Sequence, residues 1–593
     1  MITHFLRFIS PSLSIMICGH FSREELDAAS LANTVINVLG LSIDMGFSTA
    51  SDTLFSQTYG SSKRKLMGII LQRALLIMTL IFLTLACVHV NIEGLLLMAG
   101  QDSLISSLAA EYVLAFLPGL YCDYLFMTLS RYLTSQNRVQ PMVIAACSGT
   151  IFTLLSQSLV FKLDLGLRAS ASFLSMSFAV MLLCEVLYIF IYRIYAETWD
   201  GKSMVTFMVS GLIFYLLTPV CPFLSVILGW DFVGALSEWG IFFRLGIPGI
   251  LMIAFEEWCL ELSTFIAGRL FSDQSRSTAS STFINAKICT MSDAILGAQT
   301  IVFQIQSIIY MVPLGICTAV NVRVGQGLGA FDPRKAKHTY RTALLSIFGF
   351  VFLTAAPVVL LRHKIPYLFT TDKEVIDEAV KLFPVLLIFQ FCEGLGGVSE
   401  AVLLACGRQV LGAITIFVGY YLIGLPLGLL LTYKFQFGII GMWIGLATGF
   451  FLTDCIYTFV AIRTDWMEES RRFFFNTQAL RNVRQNSNSI SVRSRTHTAL
   501  LAVDGSRNRY PTIKMDTMLD EKQPQPTAIR SNSRQIFLRI TISAVVLVFF
   551  LCNLWYRLFH TTPYWVRVCR DPAASKPKGK FCNMLSLPSR LLQ

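Results

Sequence analysis

Charge is scarce in this chain: Asp, Glu, Lys and Arg make up 14% of its 593 residues, against 54% hydrophobic residues. With a mean hydropathy of +0.62, that balance excludes an ordinary soluble domain, where charged residues reach about a quarter of the whole. No C-x-x-C pair occurs among the 15 cysteines, so they read as small apolar packing residues. The seven histidines show no metal-ligand spacing, and no metal site is expected. Met1–His20 lacks a basic start followed by an unbroken apolar region, so no cleavable signal is expected. The net charge of +12 is not a nucleic-acid signature, because the basic residues sit in loops and tail.

What the chain does have is apolar runs. Windows of about 20 residues predict spans near 2–18, 28–57, 66–90, 105–130, 140–161 and 169–195. A second set follows near 245–268, 293–320, 341–362, 376–405, 409–433 and 437–462, with one more at 540–556. The first is short and interrupted by Arg7 and Pro11. The fold class is therefore an all-α polytopic membrane protein. Residues 1–200 make a first six-helix lobe, 201–243 a connection, and 244–463 a second six-helix lobe. Residues 464–535, rich in Arg, Asn and Ser, read as a disordered basic cytoplasmic linker. Residues 536–593 supply a thirteenth span and a tail. Met204–Leu228 is an extra apolar stretch broken by Pro219 and Pro222, and a complete span there would invert the second lobe. It is expected as a re-entrant or peripheral hairpin, or as a segment foreign to the mature protein, and Ser272–Met291 as a polar insertion.

Placing the N-terminus in the cytoplasm puts Ser61–Lys65, Arg131–Arg138, Arg323–Arg341 and Cys406–Leu411 on the inside, while the exterior Val88–Asp102 has no Lys or Arg. That asymmetry fits the positive-inside bias. A basic tail beyond a thirteenth span runs mildly against it, and an exterior tail would leave Cys569 free to pair with Cys582. The halves echo one another. Gln57-Thr-Tyr-Gly60, Lys63-Arg-Lys65 and Gln72-Arg-Ala-Leu-Leu76 return as Gln326-Gly-Leu-Gly329, Arg334-Lys335 and Arg341-Thr-Ala-Leu-Leu345, at a constant offset of 269 residues. Six spans per copy make a parallel repeat about an axis along the membrane normal, a transporter architecture. Gly325-Gln-Gly-Leu-Gly329 follows a span rather than a strand, so it reads as a tight cytoplasmic turn with close helix packing, not a dinucleotide loop.

The few charges inside the apolar runs are acidic. Glu256, Glu257 and Glu261 lie between Ile247 and Ala267, and Glu393 lies within Leu382–Ala405. An ionised carboxylate at bilayer depth costs roughly 2.5 kcal/mol or more, so each needs a proton or another cation as partner. At ~100° per residue, Glu257 and Glu261 share one stripe, and a broad cavity face could also hold Glu256 with Glu261.

Several motifs together resemble multidrug and toxin extrusion (MATE) transporters of the animal branch. They are Cys18-Gly-His20 with Glu25-Leu-Asp-Ala28, Asp52-Thr-Leu with Ser56-Gln-Thr-Tyr-Gly60, and Ile70-Leu-Gln-Arg73 in the first half. In the second half they are Tyr310-Met-Val-Pro313, Val322-Arg-Val-Gly325, Leu328-Gly-Ala330 and Gly419-Tyr-Tyr-Leu-Ile-Gly-Leu-Pro-Leu-Gly428. The resemblance covers about Phe8 to Asp465, with gaps, and implies a twelve-helix, two-lobe fold exporting organic cations against protons. It implies proton and cation sites at Glu256, Glu261 and Glu393. Gln304 stands where the family's eighth-helix acid would be and cannot titrate, and Glu257 stands where an aromatic residue is usual. Leu404-Ala405 replaces an Arg-Gly pair, and Thr150, Thr153 and Gln157 replace a run of Asn.

The expected cycle follows from charge balance. A lipophilic cation pairs with the carboxylates and packs on Trp258 and Tyr310 through cation–π contact. External protons then neutralise the acids, and the cation leaves. The expected partners are small organic cations, protons and lipid, in a monomer of the plasma membrane with no cofactor beyond the proton gradient. A non-transporting or altered-coupling family member, an ion channel and an integral enzyme are the competing classes. No loop-borne nucleophile or metal triad appears for the last.

Overall fold

The computed structural model describes residues 2–198, 232–277, 282–368, 370, 372–472, 539, 541–542 and 545–553. Met204–Leu228, Cys569 and Cys582 lie outside the described residues, as does most of the predicted linker. Twelve long helical segments organise the rest. In the first half they are α1 (Ile2–Cys18), α2 (Glu24–Gly60), α3 (Leu66–Val90), α4 (Ser103–Ser135), α5 (Gln140–Leu163) and α6 (Gly166–Ile191). The second half has α7 (Trp239–Ser277), α8 (Thr282–Gly329), α9 (Pro333–Leu361), α10 (Lys373–Ala405), α11 (Gln409–Lys434) and α12 (Gly438–Arg463). Ten helices are long and apolar enough to cross a bilayer, and no strand occurs among the described residues. The protein is a multi-pass, all-helical membrane protein.

Helix ends follow local chemistry. Asp102 caps α4 through the amides of Leu104 and Ile105, and Ser22 caps the start of α2 through Glu25. Asp332 caps α9, with Pro333 in the first helical position, where its missing N–H costs nothing. Between α10 and α11 the chain reverses at Gly407, whose φ of +72° lies in the left-handed region that disfavours a side chain.

Buried apolar residues form one cluster in the first half, joined by Trp239 and Phe242 at the start of α7, and two in the second. One cluster draws on Cys18 through Phe242, while two others span Met252 to Tyr457 and Cys317 to Trp466. The halves meet where the repeated motifs fall. A Cβ on Gly60 would strike the backbone of Gln326, and one on Gly329 would strike that of Gln57. Thr53 Oγ1 donates to the Leu404 carbonyl at 2.6 Å, Gln57 Nε2 to that of Ala405 at 2.7 Å, and Gln409 Nε2 to Thr53 Oγ1 at 3.0 Å. The unusual Leu404-Ala405 pair thus works through its main chain, which any side chain there would leave available.

Several boundaries differ from the sequence reading, for physical reasons. Gly325–Gly329 is the last stretch of α8 rather than a turn; its glycines admit Ser56 and Gln57 of α2, and the chain turns at Ala330–Asp332. Arg131 belongs to α4, not to a loop, because Asp52 of α2 meets it at 3.3 Å. Arg7 fits inside α1 because Asp123 of α4 neutralises it. The linker starts later than 464, since residues 466–472 are helical. Trp466 is buried with its ring 6.2 Å from that of Tyr340, and Glu469 pairs with both Arg408 and Arg472. The expected polar insertion extends α7 to Ser277 and starts α8 at Thr282. At 1.5 Å per residue these helices outrun a hydrocarbon core of about 30 Å.

The last described residues, 539, 541–542 and 545–553, touch the start of α7 and the end of α3. Arg539 sits 5.5 Å over the Trp239 ring and donates to the Leu236 carbonyl, and Asn91 donates to Asn553 Oδ1 at 3.1 Å.

Candidate functional site

Three helices of the second half bring acids together. On α7, Glu256 lies within electrostatic reach of Glu393 and Glu400 of α10 and Asp454 of α12. Glu257, its neighbour in sequence, reaches Glu261 and also Glu393 of α10. Glu257 and Glu261 share one stripe of α7, as their four-residue spacing requires, and Glu256 reaches further, to Glu400 and Asp454. Glu257 and Trp258 are exposed, and Glu256, Glu261 and Glu393 are half-buried. Among the described residues the backbones of α7 and α10 make no extended approach to each other.

Among the described residues, no Lys, Arg or His forms an ion pair with any of these six acids. Glu393 does have a neutral partner, since Gln306 Nε2 of α8 donates to its Oε2. Gln304 is half-buried and makes no side-chain hydrogen bond among the described residues. The two amides are two residues apart and so point to nearly opposite faces of α8; the one that meets the α10 acid is Gln306. Asp454 presses one oxygen against Gly396, where a Cβ would overlap it, and its second oxygen has no hydrogen-bond partner. That glycine is what lets α12 bring a carboxylate so close to α10.

Aromatic groups surround the acids. Tyr310 of α8 lies within electrostatic reach of Glu256, Glu393 and Glu400. Tyr420 of α11 and Tyr457 of α12 also lie near Glu256, Glu400 and Asp454. Tyr420 stacks on Phe450 with ring centroids 4.0 Å apart, and the Tyr457 hydroxyl donates to the Gly412 carbonyl at 3.0 Å. Trp258 points the other way, donating its indole N–H to the Val38 carbonyl of α2 at 3.1 Å. Its ring therefore belongs to the α2–α7 contact and not to the acid cluster.

Glu400, Asp454, Gln306, Tyr420 and Tyr457 were not marked by the sequence reading. Glu400 carried a signal: it follows Glu393 by seven residues, two turns along the same face. Asp454 carried one as well, as an acid inside an apolar window. Gln306 and the tyrosines are ordinary residues of a packed helix, and only their neighbours distinguish them. Such a cluster, with aromatic walls and no basic side chain, offers a cation charge compensation and a polarisable surface together.

The MatE family model matches residues 1–157 and 270–430. A multidrug and toxin extrusion protein 1 of Xenopus tropicalis is 34% identical over 468 residues, covering 78% of this chain and 72% of that one. The rabbit (Oryctolagus cuniculus) multidrug and toxin extrusion protein 1 is 31% identical over 492 residues, covering 83% and 78%. Among solved structures, the eukaryotic MATE transporter AtDTX14 superposes with a TM-score of 0.66 at 23% identity, covering 80% of this chain and 95% of that one. Fold, order of elements and matched residues agree, and the chain belongs to the multidrug and toxin extrusion (MATE) family of transporters.

Proposed function

We propose that the protein is a proton-coupled antiporter exporting organic cations and xenobiotics by alternating access. One observation carries the reading: six carboxylates gather at bilayer depth with no basic side chain paired to them among the described residues. Left ionised and alone they would each cost several kcal/mol. They must therefore hold protons or a positively charged cargo, and a site that cannot hold both exchanges one for the other. Glu256, Glu261 and Glu393 are the proton and cation sites, joined by Glu400 and Asp454. Glu257 lines the opening, and Tyr310 and Tyr420 supply the cation–π wall. Gln304, on the opposite face of α8 from Gln306, stands away from this cluster and does not titrate.

The seal between the halves supports an outward-facing state. By the positive-inside assignment, Thr53, Gln57, Gln326, Leu404 and Ala405 lie at the cytoplasmic ends of their helices. The reciprocal contacts of Gly60 with Gln326 and of Gly329 with Gln57 support two lobes related by a twofold axis. Such an axis pairs residue i with j′ and j with i′. The contacts of Arg539 with Trp239 and of Asn553 with Asn91 support a thirteenth span from cytoplasm to exterior, since those partners mark opposite ends of α7 and α3. The plasma membrane is the site of action, as a monomer, with the proton gradient as the driving force.

The test is uptake of tetraethylammonium into vesicles containing the purified full chain. Glu393→Gln and Glu261→Gln should abolish uptake while leaving membrane insertion intact. Undiminished uptake in both would overturn the assignment.

A further inference from the structure

The first half buries charge that the proposed transport site does not use. Arg7 of α1 donates from one guanidinium nitrogen to both oxygens of Asp123, at 2.7 and 2.8 Å, and its plane lies 5.8 Å from the Phe126 ring. Glu185 of α6 accepts from Ser130 Oγ at 2.7 Å through one oxygen, while the other has no hydrogen-bond partner. Asp44 of α2 is completely buried, and neither of its oxygens has a partner. It lies within electrostatic reach of Asp123, Arg7 and Arg131. Arg131 is already paired with Asp52 at 3.3 Å. Three carboxylates, Asp44, Asp123 and Glu185, thus share the single charge of Arg7.

Two of the three must be compensated in another way, because a buried ionised carboxylate without a partner costs several kcal/mol. A metal ion is a poor candidate: no group of three or more possible ligands gathers among the described residues. A proton needs no such cage. It also accounts for both bare oxygens of Asp44, since a neutral carboxyl buried without partners forfeits far less than an anion.

The surroundings of Asp44 are built rather than incidental. It follows a π-turn at Ile36–Leu41 within α2, an irregularity that recurs at functional sites because it frees backbone carbonyls. Those carbonyls find side-chain donors: Val38 O accepts from Ser42 Oγ of α2 itself at 2.6 Å and from Trp258 of α7 at 3.1 Å, and Gly40 O accepts from Tyr124 of α4 at 2.9 Å. A small cavity, with room for about one water, is lined by Arg7, Ser130 and Arg131 and reaches Thr318 of α8. The other titratable groups facing this region are Tyr124 and Cys122 of α4 and His89 of α3, which lies against Gly40. The residues of α7, α8 and α10 that meet α2 include Phe242, Gly249, Ile250, Trp258, Gly325, Gln326, Leu404 and Ala405, none of which titrates.

We propose that Asp44, with Asp123 and Glu185, forms a second proton-binding site, in the first half, for which Arg7 is the built-in counter-charge. A proton leaving the cluster passes to water in the cavity that Arg7 and Ser130, the partners of Asp123 and Glu185, line; Arg7, within electrostatic reach of Asp44, then divides its charge between Asp44 and Asp123. Trp258 links the π-turn above this site to α7, the helix that carries Glu256, Glu257 and Glu261. The site is distinct from the second-half cluster and does not depend on what the protein transports.

Infrared difference spectra of the full-length protein in H2O and D2O, at mildly acidic pH, read the C=O stretch of protonated carboxyl groups directly. Relative to the parent, Asp44→Asn should remove one component of that band, and Glu185→Gln another. Bands unchanged in both variants would mean that these acids are ionised and would overturn the proposal. Asp123→Asn tests it without deleting the central group: it releases Arg7 to Asp44, so the Asp44 component should titrate away at lower pH than in the parent. A component that does not move, in a protein that still folds, counts against the site equally.

Discussion

At the level of single residues, the proposed function rests on carboxylates with no basic side chain paired to them among the described residues. Gln306 gives Glu393 a hydrogen bond without giving it a charge, which positions Glu393 and, in the proposed cycle, leaves it free to exchange a cation. Gln306→Leu should shift the pH dependence of transport more than it lowers the maximal rate; an unchanged pH profile would make the bond incidental. Gln304→Glu adds a titratable group on another face of α8 and should alter proton dependence or cargo range, measured with a panel of cations. An identical profile would show that the position is passive. How far these residues could be read in advance follows from what marks them. Glu256, Glu261 and Glu393 are acids in apolar runs, and that alone singles them out. The same criterion applies to Asp44, Asp123, Glu185, Glu400 and Asp454, each inside a predicted span, and applying it evenly would have found both clusters. Gln306 and Tyr420 carry no such mark, because a neutral polar side chain in a helix becomes informative only when its neighbour is known.

Helices were the legible part of the fold, since a run of about 20 apolar residues leaves little choice of structure in a bilayer. The predicted 66–90, 409–433 and 437–462 fall within a residue of the observed helices. Departures came where tertiary contacts keep polar sequence helical. Arg131 continues α4 on the strength of Asp52, and Gly325–Gly329 continues α8 because its bare backbone fits against α2. Glycine at such a crossing reads in sequence as a turn and in space as a seam. The seam yields its own prediction. Gly60→Val places side-chain atoms where the Gln326 backbone lies and should pry the cytoplasmic ends apart. Cys406, half-buried at the α10–α11 turn, should then react faster with an impermeant maleimide applied from the cytoplasmic face. Labelling at the parental rate would show that the seal does not depend on this contact.

Taken whole, the molecule separates rigidity from charge. Its halves bury their own apolar clusters and touch along α2, α7, α8 and α10, where direct hydrogen bonds contribute on the order of 1 kcal/mol each. Contacts of that strength can form and break in each turn of the proposed cycle, whereas the apolar clusters cannot. In the proposed antiport the acids supply the coupling, because cargo and proton compete for the same negative charge. The most direct test is tetraethylammonium uptake into vesicles containing the full chain, compared with and without an acidic interior. The account predicts markedly faster uptake when the interior is acidic, lost on collapsing the gradient. Uptake that proceeds equally well in either condition would contradict it.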